Sequence, residues 1–301
     1  MNVTTTYGRI RWWARRDRVA ASALAVIVLI ALASLLAPLV SPYPAQGAGT
    51  PNIENKFEPP SAAHPFGTDG LGRDVLSRVL YGGRISLLIG VAVVALSAGI
   101  GTPLGALAGY VGGRTDEILM RVTDVFLAFP PLLLAIAVAA ALGPSLPNAV
   151  VAIAVTWWPW YARIARGQAS SLRRRPFVDA ARAIGVRDRD IVRRHILPHL
   201  LTPVVVQATL DVGSAILTGA ALSFIGLGVQ PPLTDWGLMV SDGRIYFMTR
   251  WWFAFFPGIA IFVVVMAFNL LGDSVRDLVD PRLGRPTVLK PMLDGRREAA
   301  A

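Results

Sequence analysis

The stretch "VAASALAVIVLIALASLLAPLV", from Val19 to Val40, contains no charged residue. A helix needs about 20 mainly apolar residues to cross a hydrocarbon core of about 30 Å. The apolar core of a cleaved signal peptide is shorter, at about 7–15 residues. This stretch therefore predicts a transmembrane helix that is retained in the protein.

The composition of the whole chain agrees with a membrane protein. Of its 301 residues, 54% are hydrophobic and only 16% are charged, whereas an ordinary soluble domain has about 25% charged residues. Five further apolar stretches follow the first, at residues 85–111, 118–142, 149–164, 201–222 and 253–271. The sequence thus predicts an all-α membrane protein with six transmembrane helices, the fourth being short.

Basic residues indicate how these helices are oriented. With six spans, 22 of the 29 Lys and Arg residues fall on one side, six fall on the other, and Arg121 lies inside the third span. Because cytoplasmic loops carry the excess of Lys and Arg, we expect both termini in the cytoplasm and residues 41–84 and 223–252 outside. Attraction to anionic lipid explains the net charge of +10, so membrane lipid, and no nucleic acid, is the expected partner of these charges.

The chain lacks the motif that would bind ATP. A P-loop ends in Gly-Lys-Ser/Thr, so that the lysine reaches the phosphates, but Lys56 and Lys290 follow Asn55 and Leu289. The absence of cysteine excludes a disulfide framework and thiolate metal sites, and three histidines are too few for a His-rich metal site. We expect no cofactor in this chain, and ATP, if it drives the protein, must bind to another subunit.

A charged segment, "DAARAIGVRDRDIVRRHILP" at residues 179–198, separates the fourth and fifth spans. Ala180 and Ala181 favour a helix, and Gly185 is best able to take the left-handed conformation that ends one. Asp188 is expected to cap a second helix. The segment therefore predicts a short helix, a glycine turn and a second short helix across the cytoplasmic mouth of the bundle.

The order of residues in this segment resembles the EAA motif of ABC-importer permeases, the loop that docks on the ATPase subunit. Asp179 stands where the general pattern has Glu, and His195 stands where it has Ile. Three other segments, at residues 64–87, 221–239 and 269–283, resemble the C-type permease subunit of the dipeptide, oligopeptide and nickel group. The residues that the resemblance assigns to ATPase coupling are Asp179, Ala180, Ala181, Gly185, His195, Leu197 and Pro198.

The resemblance implies a type I ABC-importer permease fold and a transport subunit, not an enzyme, in the bacterial plasma membrane. It implies a homologous B-type permease as heterodimer partner, two ATPase domains that bind ATP and Mg, and an extracytoplasmic solute-binding protein. The implied substrate is a dipeptide or oligopeptide; nickel chelates or glutathione are the alternatives within the group, and an ion-coupled secondary transporter is the rival outside it.

The same resemblance divides the chain into four parts. A cytoplasmic segment at 1–18 is followed by the first span and an outward loop at 19–84. A core permease domain at 85–283 contains five spans and the EAA loop at 165–200. A cytoplasmic tail occupies 284–301.

Ionisable residues inside the spans are candidates for the translocation pathway, because a charge within the membrane is costly. Arg121 and Asp124 are three residues apart and are therefore expected to form an ion pair on the third helix. Asp211 has no local partner in the fifth span. We expect it to lie in the pathway, where it would meet the amino terminus of a peptide.

Two further patterns concern packing and the outer surface. Arg73, Asp74, Ser77 and Arg78 alternate with apolar residues and predict a short interfacial helix before the second span. This helix either anchors in the membrane or contributes to the surface on which a binding protein docks. In the second span, glycines four residues apart predict close contact with a helix of the same bundle or of the partner permease; they are Gly101, Gly105 and Gly109.

Overall fold

The structure, a computed structural model, describes residues 17–279. The expectations for most of the N-terminal segment and for the tail at 284–301 concern residues outside this range. Within it, the α-helices are α1 (Arg18–Leu35), α2 (Ala37–Val40), α3 (Pro44–Gly47), α4 (Val75–Val111), α5 (Gly113–Leu127), α6 (Pro131–Leu142), α7 (Leu146–Arg173), α8 (Pro176–Ala183), α9 (Asp188–Ile191), α10 (Leu197–Phe224), α11 (Trp236–Gly243) and α12 (Trp252–Val279). A π-helical turn at Val192–Ile196 joins α9 to α10.

Helix covers most of each of the six predicted spans, which confirms the all-α membrane architecture. Among residues 17–279, four helical runs are long and apolar enough to cross a membrane, namely α1, α4, the run from α9 through α10, and most of α12. The pair α5 and α6 counts as a fifth only if a bent pair is one span. The helix α7, at the fourth predicted span, has 28 residues but does not meet the same hydropathy test.

The third predicted span is broken at Pro130 and Pro131, so the expectation of one continuous helix there is wrong. The helix α5 ends at Leu127 and α6 begins at Pro131. Proline has no amide hydrogen to donate, and it also disfavours the helical conformation of the residue before it. The two helices are consequently bent by 87° relative to each other.

The expectation of a separate interfacial helix before the second span is also wrong, because α4 is continuous from Val75 to Val111. It runs through Gly82 and Gly83 without a break. A Cβ atom at Gly83 would lie 2.2 Å from Oγ of Ser34 on α1, and one at Gly82 would lie 3.4 Å from the backbone of Asp235. These glycines therefore allow α1 and the start of α11 to pack closely against α4, and they do not terminate α4.

Of the four polar residues that predicted the interfacial helix, Asp74, Ser77 and Arg78 are buried. Asp69 is completely buried and Arg78 is 3% exposed. One carboxylate oxygen of Asp69 accepts hydrogen bonds from Arg73 Nε at 2.7 Å and from Arg78 Nη1 at 2.8 Å. Arg78 Nη2 also donates to Thr234 Oγ1 at 3.0 Å. This network fastens the start of α4 to the loop that precedes α11.

A second buried pair, His64 and Asp74, lies beside that network, with 2.9 Å between Nδ1 and Oδ1. Trp252 Nε1 donates to the backbone oxygen of Thr68 at 3.1 Å, which brings the start of α12 to the same place. Residues 41–74 and 225–251 therefore lie together at one end of the bundle, which we term the loop end. The opposite end, where the charged segment lies, is termed the coupling end.

Candidate functional site

The charged segment at the coupling end forms the helix, turn and helix that its sequence predicts. Between α8 and α9, Gly185 adopts a φ of +80°. Its amide donates to Arg182 O at 2.9 Å, and the amide of Val186 donates to Ala181 O at 3.0 Å, as in helices that end with a left-handed residue. A Cβ at Gly185 would meet nothing within 4 Å. Backbone conformation, and not lack of space, therefore favours glycine there.

The second helix differs from the expectation at both of its ends. Arg187, and not Asp188, occupies the N-cap position, and no side chain caps the helix. Instead, the carboxylate of Asp188 accepts a hydrogen bond from the Tyr110 hydroxyl. The helix does not stop before the membrane either, since the π-turn continues it into α10, where Pro198 lies in the first turn. A single helical run thus extends from Asp188 to Phe224.

A small apolar core joins the charged segment to the bundle. It unites residues from α4 and α7 with residues from the two short helices and the start of α10. Its members are Ala106, Tyr110, Ala165, Ala169, Val178, Ala181, Ile191, Ile196 and Leu200. Ala181 is 8% exposed and belongs to this core, so this alanine of the motif holds α8 against α4 and α7.

The opposite face of the segment is exposed. The side chain of Asp179 is 71% exposed, and Ile184 is 82% exposed. His195 and Leu197 are half-buried, whereas the remaining motif positions outside the core are exposed, namely Ala180, Gly185 and Pro198. The carboxylate of Asp179 and the side chain of Ile184 are therefore both available for contact with a partner protein.

Tyr110, near the end of α4, connects that helix to both short helices. Its side chain is 2% exposed, its hydroxyl donates to Asp188 on α9, and the guanidinium of Arg182 on α8 lies 5.2 Å from its ring centroid. Arg182 Nε is in turn 3.6 Å from Asp188 Oδ1. Sequence reasoning missed Tyr110, because nothing in its local sequence indicates a partner 78 positions away.

The glycine face of α4 contacts the backbone of α7 in the same subunit. This answers which helix it meets, a question that the sequence left open. A Cβ at each of three glycines would come within 2.0–2.3 Å of a backbone oxygen on α7. The pairs are Gly101 with Trp158, Gly105 with Ala162, and Gly109 with Arg166. Because side chains do not separate the two backbones, α4 and α7 are expected to move as one body.

The expected ion pair between Arg121 and Asp124 does not form. Asp124 instead accepts a hydrogen bond from Arg163 on α7, and no acidic residue in the described part of the chain pairs with Arg121. A second pair between the same two helices joins Arg166 to Asp116, with Nε to Oδ1 at 2.9 Å. Cross-helix partners have therefore replaced the i, i+3 pair and hold α5 beside α7.

Asp211 lies on α10 at a cavity of about 430 Å³ between α7, α10 and the start of α6. Gln207 Nε2 donates to Asp211 Oδ1 at 2.9 Å. The cavity is lined by Pro131, Trp157, Trp160, Ile164, Gln207, Asp211 and Ser214. Of the three pathway candidates, Asp211 lines this cavity, whereas Arg121 and Asp124 do not.

Two protein families match the chain. The binding-protein-dependent transport system inner membrane component matches residues 101–285, a range that includes all three glycines of the glycine face, the charged segment and Asp211. This chain belongs to that family. The N-terminal TM domain of oligopeptide transport permease C matches residues 7–60 of the permease.

Relatives along nearly the whole length support the same assignment. The permease is 45% identical to the probable D,D-dipeptide transport system permease protein DdpC of Escherichia coli strain K12, over 92% of each chain. It is 43% identical to the dipeptide transport system permease protein DppC of Alkalihalophilus pseudofirmus, over 89% of this chain and 88% of that one. It is 45% identical to the glutathione transport system permease protein GsiD of Pectobacterium atrosepticum, over 90% of each chain.

Among solved structures, the permease resembles a chain of the MetNI methionine ABC transporter in inward-facing conformations. The TM-score is 0.52, and the match covers 68% of this chain and 96% of the other. At 20% identity, the likeness shows the fold alone, which is the predicted type I importer permease fold. The family and the relatives together show a permease subunit of an ABC importer, a multi-pass inner-membrane protein that works with a binding protein and with separate ATPase subunits.

Proposed function

We propose that this permease pairs with a homologous B-type permease, and that the heterodimer imports dipeptides or oligopeptides. Relatives named for the transport of dipeptides and D,D-dipeptides support this substrate class. A relative named for glutathione transport supports the alternative, since glutathione is itself a short peptide. An ion-coupled secondary transporter has no use for an ATPase-docking segment of this kind.

The observation that carries the proposal is the way the charged segment at residues 179–198, which we now term the coupling segment, is attached to the bundle. ATPase subunits, which bind ATP and Mg, press on the exposed face of α8, around Asp179 and Ile184. Val178 and Ala181 on the other face pass the displacement into the small core shared with α4 and α7. Such a rigid-body displacement of packed helices is a common form of conformational switch, and here it opens and closes the pathway.

The orientation follows from this assignment. The coupling end faces the cytoplasm, where the ATPases bind, and both termini lie on that side. The loop end faces outward and receives the binding protein. The basic residues of the coupling end support this orientation, because cytoplasmic segments carry the excess of Lys and Arg; they include Arg173, Arg174, Arg175, Arg187, Arg189, Arg193 and Arg194.

A reconstituted system tests the proposal. The permease is expressed with its B-type partner, the ATPases and the binding protein, and uptake of radiolabelled dialanine and glutathione is measured in proteoliposomes. We expect ATP-dependent uptake of dialanine. Replacing Ala181 and Gly185 together by valine should abolish uptake and copurification of the ATPase, because it removes the core contact and the turn.

The matched control is Gly99→Ala, since a Cβ at Gly99 would meet nothing within 4 Å. This variant should retain uptake and ATPase binding. Uptake that proceeds without ATP, or a double-valine variant that still binds the ATPase and transports normally, would contradict the proposed coupling. ATP-dependent uptake of glutathione without uptake of any other peptide would decide for the alternative substrate.

A further inference from the structure

Asp211 is a half-buried carboxylate in a membrane-spanning helix without a cation to balance it. Its only hydrogen bond of normal geometry in the described chain comes from the neutral amide of Gln207, and no Lys, Arg or His at residues 17–279 forms an ion pair with it. Ionisable residues in such positions are costly and face a pathway or a partner. The carboxylate thus has no counter-charge within residues 17–279 and lines the cavity without one.

The surroundings of Asp211 are suited to a small organic cation. The cavity has a volume of about 430 Å³, within the range of about 300–1,000 Å³ typical of small-molecule sites. Two indole rings, Trp157 and Trp160, line it together with Asp211. Aromatic faces attract ammonium groups, so the cavity combines a counter-charge with surfaces that stabilise a cation stripped of water.

A second polar side chain lies near Asp211 besides Gln207. The side chain of Tyr161 is completely buried, and its hydroxyl lies beside the Asp211 carboxyl but makes no hydrogen bond of normal geometry. A buried hydroxyl without a partner is costly. The Asp211 carboxyl is the acceptor that this hydroxyl can reach, so Tyr161 and Gln207 flank it.

We propose that this cavity is a transient binding site for the α-ammonium group of the transported peptide, with Asp211 as its counter-ion. The inference rests on the proposed peptide import function and adds the residue that recognises the substrate within the membrane. Gln207 holds the carboxylate in place, and Trp157 and Trp160 cover the ammonium. A free amino terminus is thus recognised within the membrane, after release from the binding protein.

The test measures binding of radiolabelled dialanine to the complete complex in nanodiscs, with unlabelled competitors. Dialanine amide keeps the ammonium group, whereas N-acetyl-dialanine lacks it. For the wild-type complex, we expect N-acetyl-dialanine to compete about 10- to 100-fold more weakly than dialanine amide, the range of a hydrogen bond to a charged group.

The critical variant is Asp211→Asn, which can still accept the hydrogen bond from Gln207 and loses only the charge. It should bind dialanine about 10- to 100-fold more weakly, and the difference between the two competitors should vanish. Asp211→Glu should restore part of the dialanine affinity and part of the difference between the two competitors. The matched control is Asp273→Asn, which removes an exposed carboxylate on α12 and should leave binding unchanged.

Parallel measurements of dialanine uptake and of ATPase stimulation by the binding protein separate this inference from the proposed function. If the wild-type complex does not take up any peptide, the proposed function fails. If it does, and Asp211→Asn binds and transports dialanine as the wild type does, only the inference fails. If Asp211→Asn weakened the binding of both competitors by the same factor, so that the difference between them remained, Asp211 would be assigned to a cation of the partner permease and the inference would be overturned. Undetectable binding of dialanine to an active wild-type complex would also overturn it.

Discussion

Replacing Gly185 tests whether the left-handed turn transmits force from the ATPases. The relevant variants are Gly185→Val and Gly185→Asn, whose side chains have similar size. The φ of Gly185 is +80°, and a Cβ at this position would meet nothing within 4 Å. A clash within the permease therefore cannot explain an effect that differs between the two variants, whereas the backbone conformation can.

The expected magnitude follows from the cost of that conformation. A left-handed backbone costs a residue with a side chain about 1–2 kcal/mol, and the cost is greatest for β-branched residues, whereas Asn is enriched in this region. A change of 1–2 kcal/mol alters an equilibrium by a factor of about 5–30. The native turn in the Val variant should therefore be less populated by about that factor, and the turn in the Asn variant should be nearly unaffected.

The assay compares peptide transported with ATP hydrolysed in proteoliposomes that contain the complete complex. We expect the Val variant to remain in the membrane and to hydrolyse ATP, while the transport-to-hydrolysis ratio falls several-fold. The Asn variant should have a transport-to-hydrolysis ratio close to that of the wild type. A normal ratio for Val would refute the role of the turn. Equal impairment of Val and Asn would also refute it, because bulk at the docking surface would then explain the loss.

Three further predictions concern other contacts. Gly105→Ala forces α4 and α7 apart by about 1 Å, since its Cβ would lie 2.0 Å from a backbone oxygen and real contacts stay above 3.0 Å. The free energy of unfolding, measured by thermal unfolding, should fall by about 1–3 kcal/mol. The control Gly99→Ala should leave it unchanged or raise it. Tyr110→Phe removes the hydrogen bond to Asp188, worth about 1 kcal/mol, and should lower the ratio of peptide transported to ATP hydrolysed. The control Tyr43→Phe removes a hydroxyl that donates to a backbone oxygen at the loop end and should leave this ratio unchanged. Burial raises the pKa of Asp235, at the N-cap of α11, to about 6. The folded state then binds this proton more tightly than the unfolded state, so stability should fall as the pH rises from about 4 to 6. In Asp235→Asn, the fall in unfolding temperature between about pH 4 and 6 should be smaller by the contribution of Asp235. If the variant and the wild type showed the same dependence of unfolding temperature on pH, Asp235 would not be the group that titrates.

The features that the sequence predicted well depend on local properties of the chain. Gly185 was identified because the left-handed conformation is a property of one residue, and the spans were identified because apolar composition is summed over neighbours. The break at Pro130 and Pro131 was also visible locally. It was overlooked because the hydropathy of the stretch does not fall there, so composition indicated one span where backbone chemistry required two helices.

The features that the sequence did not predict are contacts between distant segments. Asp124 has a basic residue three positions away, yet it pairs with Arg163 on another helix. Tyr110 contacts a residue 78 positions later, and the polar residues before the second span are buried by residues of the loop before α11. Spacing along one helix shows which side chains are neighbours, but it does not show which other helix approaches them more closely.

The coupling segment and the cavity at Asp211 are linked by a single helical run. This run extends from Asp188, which contacts Tyr110, through the π-turn to Phe224. At 1.5 Å per residue, Asp211 lies about 35 Å along it from Asp188, so a tilt at the coupling end displaces the α10 wall of the cavity. The other wall is α7, which is locked to α4 by the glycine contact. If the two proposals hold, a displacement that tilts α10 against that pair would change the width of the cavity, and ATP-driven movement would be coupled to release of the ammonium group.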